Sequence, residues 1–248
     1  MKSYKIVIIL ALLITLPFPA LAQTTQITLA THNWCPYGCY DENDVFDGCA
    51  VRVVKYSLKQ MGVELDLIVV PWLRAQRMAK DGKVDGYFAA SQNQERDRNG
   101  VRSSLIAEQR WNWYMLRDNK LDPSGADFKE NATVAAFRGS NMLTWLKDNG
   151  YDVTASPPTT EQLLNMLLLG RFDAMLANDM VMTDKIMKQN LHGRFKVVTL
   201  LSKPLGVYFS NAFLKNNPNF LDTFNKHVEE YMKINPLPYD SFACPLLQ

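Results

Sequence analysis

The sequence lacks the marks of several functional classes. It contains only three histidines. It has no Gly-x-Ser-x-Gly elbow and no His-Glu-x-x-His pair, so the common serine-hydrolase and zinc-protease machinery is missing. It has no Lys/Arg run. Setting aside Lys2 and Lys5 of the first 22 residues, 25 basic residues face 25 acidic ones, and a basic footprint for nucleic acid is absent from the net charge. After residue 22 no stretch is apolar enough to cross a membrane, which takes about 20 residues. With 47% hydrophobic and 21% charged residues, the chain is not composed like a disordered one.

What is present starts with an export signal. Lys2 and Lys5 precede an apolar run over 6–16, Pro17 and Pro19 break it, and Ala20-Leu21-Ala22 supplies small residues for cleavage. Residue 23 is Gln, not Cys, which closes the lipoprotein route. The expectation is a signal peptide over 1–22 and a mature, monomeric periplasmic chain with no membrane insertion. Its four cysteines, Cys35, Cys39, Cys49 and Cys244, form an even set in an oxidising compartment, which favours disulfides. Three pairings are open. The reading leans to Cys39 with Cys49 and Cys35 with Cys244. A metal site on His32, Cys35 and Cys39 ranks below it, because the spacing is not a zinc pattern.

Hydrophobic periodicity then lays out the chain. Alternation over 26–30 predicts a first strand, which delivers His32, Asn33 and Trp34 into a loop. Val51, Val54, Leu58 and Met61 recur at helical spacing over 50–61, and Gly62 ends that helix. A strand over 64–70, a helix from Pro71 to Lys80 and a strand ending near Ala90 complete a β-α-β-α-β unit with a parallel sheet. Ligands of such sheets sit outside the carboxyl ends of the strands. Trp34, Trp72 and Ser91 all lie just past those ends. Each tryptophan has a competing reading as a core residue, and His32 reads as structural.

A strand over 111–116 is followed by a polar segment, 117–129, with Pro123, Ser124 and Gly125. This predicts the passage into a second lobe. An apolar strand over 132–137 leads into Gly139-Ser140-Asn141 and a helix to Asn149. A small-residue turn at a helix N-terminus suits an anion, although Ser140 also reads as a plain helix cap. Helices over 159–169 and 181–190 and a strand over 195–201 follow. Ser202-Lys203-Pro204 predicts the return, then come a strand over 207–210 and a helix over 219–234. Gly170-Arg-Phe-Asp173 repeats the pattern of Gly82-Lys-Val-Asp85, as two similar lobes would, and both aspartates read as structural.

The spacing of Ser91 and Arg96, the Gly139-Ser140 turn and the aromatic-Pro-aromatic order of Trp34-Cys35-Pro36-Tyr37 resemble the bacterial extracellular solute-binding proteins of family 3, which include polar amino acid receptors. The likeness spans the mature chain through several short motifs in order. It implies an α/β, two-lobed periplasmic binding protein fold (type II). Each lobe would be a mostly parallel sheet flanked by helices, and a two-segment hinge would join them. The first lobe would be 23–116 with 205–248, and the second 117–204. It also implies a ligand site on Trp34, Trp72, Ser91, Arg96, Gly139, Ser140, Asn141, Asn178 and Asp179. Arg96 would pair with a carboxylate and the tryptophans would cover the ligand's apolar part. Where amino acid receptors of the family hold the ligand's ammonium with Asp, this sequence has Asn178, with Asp179 next. That departure puts a standard α-amino acid in doubt.

The expected function is capture of a small polar, carboxylate-bearing solute for an inner-membrane ABC permease, with no enzyme activity, cofactor or metal. A periplasmic enzyme on the same fold, such as a cyclohexadienyl dehydratase with Glu95 or Asp179 as its acid, is the alternative. A solute sensor without a transporter is a third reading.

Overall fold

The computed structural model describes residues 25–235. The expected signal peptide and Cys244 lie outside them. The elements run β1 (Gln26–Thr31), β2 (Cys39–Tyr40), β3 (Phe46–Asp47), α1 (Cys49–Gln60), β4 (Glu64–Val69), α2 (Trp72–Lys80), β5 (Gly86–Ser91), α3 (Gln94–Asn99), β6 (Gly100–Arg102) and β7 (Arg110–Leu116). Then come α4 (Phe128–Asn131), β8 (Thr133–Ala135), α5 (Asn141–Asp148), β9 (Asp152–Ala155), α6 (Thr160–Leu168), β10 (Ala174–Asn178) and α7 (Asp179–Lys188). The last are β11 (Phe195–Ser202), β12 (Leu205–Ser210), α8 (Asn211–Asn216) and α9 (Phe220–Ile234).

Two five-stranded sheets carry the two lobes. The first has the order β4-β1-β5-β12-β6 and the second β11-β7-β10-β8-β9. In the first, β1 runs parallel to β4 and β5, and β12 is antiparallel to β5 and β6. In the second, β8, β9 and β10 run parallel and β7 is antiparallel to both its neighbours. Helices cover both sheets. The periodic stripe of α1 (Val51, Val54, Leu58) meets Phe220, Phe224 and Val228 of α9 in one core, as a helical repeat of apolar residues requires.

The aspartates of the internal repeat have one job in each lobe. The Asp85 carboxylate accepts the Thr28 amide (2.8 Å) while the Asp85 amide donates to the Thr28 carbonyl (2.9 Å). Asp173 does the same with Thr133 (2.9 Å both ways) and also accepts its hydroxyl (2.6 Å). Each clasp ties the connection entering one strand to the neighbouring parallel strand, at the end remote from the strands' carboxyl tips.

The chain passes between sheets earlier than the polar segment 117–129 suggested. β7 is hydrogen-bonded between β10 and β11, inside the second sheet. Its Trp111, Trp113 and Met115 pack with Phe128 in the second lobe's core. The segment 117–129 is a loop within that lobe, and its polarity reflects exposure rather than a crossing. The two connections between the sheets lie between β6 and β7 and between β11 and β12. These two segments are bonded to one another: Ile106 and Leu205 exchange with Leu205 and Ala107 carbonyls (2.9 Å each), Lys203 donates to the Gln109 carbonyl (2.9 Å), and the Gln109 side chain donates to the Lys203 carbonyl (2.7 Å).

The cysteine expectation is corrected. Cys35 and Cys39 form a disulfide, with Cα atoms 5.1 Å apart. The amides of Tyr37 and Gly38 both turn back onto the Trp34 carbonyl (3.0 and 3.2 Å), and this tight turn brings positions 35 and 39 within disulfide reach. It takes Cys39 from Cys49 and Cys35 from Cys244, and it removes the thiols from the metal alternative. Among the described residues no group of three His, Cys, Asp or Glu could hold a metal ion, and no helix is long and apolar enough to cross a membrane.

Candidate functional site

β5 is buried along its whole length and ends in a bulge. Ala89 has a left-handed φ of 62°, and pairing with β12 slips between Gly206 and Val207 beside it. A bulge turns the residues after it out of the regular pleat, and Ser91 follows at once. Asn93 then caps α3 by accepting the Arg96 amide (2.7 Å). The Arg96 side chain folds back under the strand end. Its Nη1 donates to the Ser91 carbonyl (2.6 Å), and Nε and Nη2 both donate to Gln76 Oε1 (3.3 and 3.2 Å).

Arg96 is 6% exposed, and burial lowers its pKa from the ordinary guanidinium value. None of the ion pairs among the described residues includes it. Its acidic neighbour Asp97 instead accepts from the Tyr208 hydroxyl (2.7 Å) and from Gln92. A buried cation without an ion-pair partner is costly, the nearby Glu95 and Asp97 charges offset its burial only in part, and three of the five guanidinium N–H groups are engaged, all by neutral oxygens.

The second lobe meets this point with Gly139-Ser140-Asn141. Gly139 has a φ of 76°, and a Cβ there would sit 2.5 Å from Leu73 of the first lobe, so the close approach of the lobes needs glycine. Its carbonyl accepts from the Trp72 indole (3.0 Å) and from Gln76 Nε2 (3.4 Å). Asn141 reaches across to Ser91, with Nδ2 at 2.8 Å from the hydroxyl and 3.0 Å from the carbonyl. It also donates to the Gln92 carbonyl (3.0 Å) and accepts from Asn93. Ser140 is a cap: its hydroxyl accepts the Leu143 amide (3.1 Å) and donates to the Phe137 carbonyl (2.6 Å).

Trp72 stands between two spaces. On one side the Arg96 guanidinium carbon lies 5.2 Å from its ring, next to a cavity of about 270 Å³ that Arg96, Gln76 and Gly139 help to line. On the other side His32 lies 4.5 Å from it, in a cleft of about 640 Å³ walled by His32, Trp34 and Trp72 of the first lobe and Phe137, Thr160 and Glu161 of the second. A volume of that size suits a small ligand.

Asn178 and Asp179 lie elsewhere. Asn178 caps α7 through Oδ1 (Val181 amide, 2.8 Å) and donates both amide hydrogens, to the Tyr37 hydroxyl (3.1 Å) and Gln109 Oε1 (2.8 Å). Tyr37 in turn donates to the Glu108 carbonyl (2.7 Å). Asn178 therefore binds the second lobe to the first loop and to the hinge. Asp179 accepts the Arg110 amide (3.0 Å), and burial raises its pKa. Neither residue lines the aromatic cleft.

The structure thus gathers Trp72, Ser91, Arg96, Gly139 and Asn141 at one seam, with Trp34 across Trp72 in the cleft. Ser140 supports from behind, and Asn178 and Asp179 serve the hinge side. Sequence reasoning gave no role to Gln76, which couples Arg96 to Gly139. The available signal was its place one helical turn after Trp72.

The profile of the bacterial extracellular solute-binding proteins, family 3, matches residues 27–235. The chain belongs to that family. Solved structures similar to this solute-binding protein include an ancestral arginine-binding protein bound to arginine (22% identity, TM-score 0.70, 86% of this chain and 94% of that one). Another is an ABC uptake transporter substrate-binding protein from Streptococcus pneumoniae with bound histidine (14%, TM-score 0.73, 85% and 88%). A third is a histidine kinase sensor domain with similarity to periplasmic binding proteins (18%, TM-score 0.73, 86% and 92%). Identities this low speak for the fold. No curated protein gives a significant match.

Proposed function

We propose that this solute-binding protein is a monomeric periplasmic receptor that captures a small carboxylate-bearing solute between its lobes and presents it to an inner-membrane ABC permease. The observation that carries this reading is the Arg96 guanidinium, buried at the seam of the lobes and held only by neutral oxygens. A carboxylate matches its planar fork. Ser91 and Asn141 are the neighbouring polar groups from the two lobes, and Trp34 and Trp72 cover the rest of the ligand. A ligand that spans Arg96 and the aromatic cleft displaces the Trp72–Gly139 hydrogen bond, which lies between them.

Of the acids weighed for an enzyme, Asp179 lines neither space and Glu95 lines the smaller cavity beside Arg96; membership of a solute-binding family favours binding over turnover. Calorimetry with a panel of carboxylates and amino acids tests the reading. A bound carboxylate is expected to lose about 1–3 kcal/mol on Arg96→Ala, as a charged hydrogen bond does. Equal affinity in the variant refutes it. Association of the loaded protein with a permease in membrane vesicles tests the transport partner.

A further inference from the structure

The anion clamp leaves the aromatic cleft unexplained. His32 lies 5.0 Å from Trp34 and 4.5 Å from Trp72 between ring centroids. Phe137 of the second lobe stacks nearly parallel to it, at 6.3 Å and 8°. His32 is 7% exposed. Its Nδ1 and the Nε1 of Trp34 are covered and have no hydrogen-bond partner among the described residues. An unsatisfied buried donor or acceptor is unfavourable, so two such nitrogens on one wall favour a ligand that pairs with them. Flat rings on both lobes favour a flat ligand.

The charges around the cleft weigh against a cation. The lining carboxylates are already paired, Glu161 with Lys185 (2.8 Å) and Asp184 with Lys188 (3.0 Å). The amide of Asn178 is spent on Tyr37 and Gln109. Burial, and then the positive charge of Arg96, hold the His32 imidazole neutral, with its pKa at about 3. The same field acts against any cationic group placed beside His32.

We infer that the cleft takes a carboxylate with a flat, uncharged, hydrogen-bonding body, such as a heteroaromatic acid, and that His32 and Trp34 are its specificity-determining contacts. This deepens the receptor reading and rests on it.

Calorimetry at neutral pH tests it with nicotinate, pyrrole-2-carboxylate, benzoate, L-arginine and L-lysine. At least one heteroaromatic acid is expected to bind about tenfold or more tightly than benzoate, L-arginine or L-lysine, with quenching of tryptophan fluorescence, tenfold being about one good hydrogen bond. His32→Phe keeps the ring stack, and Trp34→Phe keeps an aromatic face. Each is expected to weaken that acid more than it weakens benzoate, so that the preference over benzoate falls. The inference is overturned if L-arginine or L-lysine binds more tightly than every heteroaromatic acid, or if both variants keep the preference intact. In that outcome Arg96-dependent carboxylate binding still stands. Absence of binding by every carboxylate overturns the receptor reading as well.

Discussion

The indole N–H of Trp72 donates to the carbonyl oxygen of Gly139 at 3.0 Å, joining the lobes directly beside the buried Arg96. Asn141 makes a second tie, to Ser91. Closure in this structure is thus held by the protein's own side chains. Trp72→Phe and Asn141→Ala each remove part of it. At about 0.5–1.5 kcal/mol per net hydrogen bond, each is expected to shift the closed-to-open ratio by about two- to tenfold. Small-angle scattering of the ligand-free variants should report a larger radius of gyration. An unchanged radius means that these bonds do not govern closure.

Arg96→Lys keeps a positive charge but loses the planar fork that reaches Ser91 and Gln76 together. Affinity for a bound carboxylate is expected to fall about tenfold or more, within the 1–3 kcal/mol typical of charged hydrogen bonds. Titration calorimetry checks this, and full affinity in the lysine variant contradicts a fork-dependent clamp.

Asp173→Ala strands the amide and hydroxyl of Thr133. The expected cost is about 1–3 kcal/mol of stability, read from urea denaturation. Ligand affinity should not change, because the clasp lies at the end of the sheet remote from Ser91 and Gly139. A loss of affinity with unchanged stability would assign Asp173 to the site instead.

His32 titrates at about 3 in the folded protein against 6.5 when free of its surroundings, with burial as the main cause and Arg96 second. The folded state therefore binds fewer protons than the unfolded state between these values. Stability is fully present above pH 6.5 and is lost as pH falls towards 3, by up to about 1.4 kcal/mol per pH unit. His32→Phe should flatten that part of the stability profile. An identical acid-side slope in wild type and variant places the effect on other groups.

The lobes were legible because their strands and helices follow the hydrophobic period. The placing of Trp72 and Ser91 past strand ends was readable from topology as well as from the family likeness. Periodicity says nothing about which sheet a strand joins, so the aromatic strand around Trp111 and Trp113 could be recognised but not placed, and a polar loop was mistaken for the crossing. The Cys35–Cys39 bridge depends on a local turn whose backbone bonds leave little trace in residue type. Asn178 stood out as a departure from the family pattern, but its role needed Tyr37 and Gln109, distant in sequence. His32 looked structural because its aromatic neighbours come from three separate segments.

The rungs that bind 106–109 to 203–205 govern how the halves can travel. A ladder of this kind twists about its length far more easily than it stretches or shears. Approach of the two halves is then close to a single angular coordinate, and the orientational entropy surrendered on closing stays small.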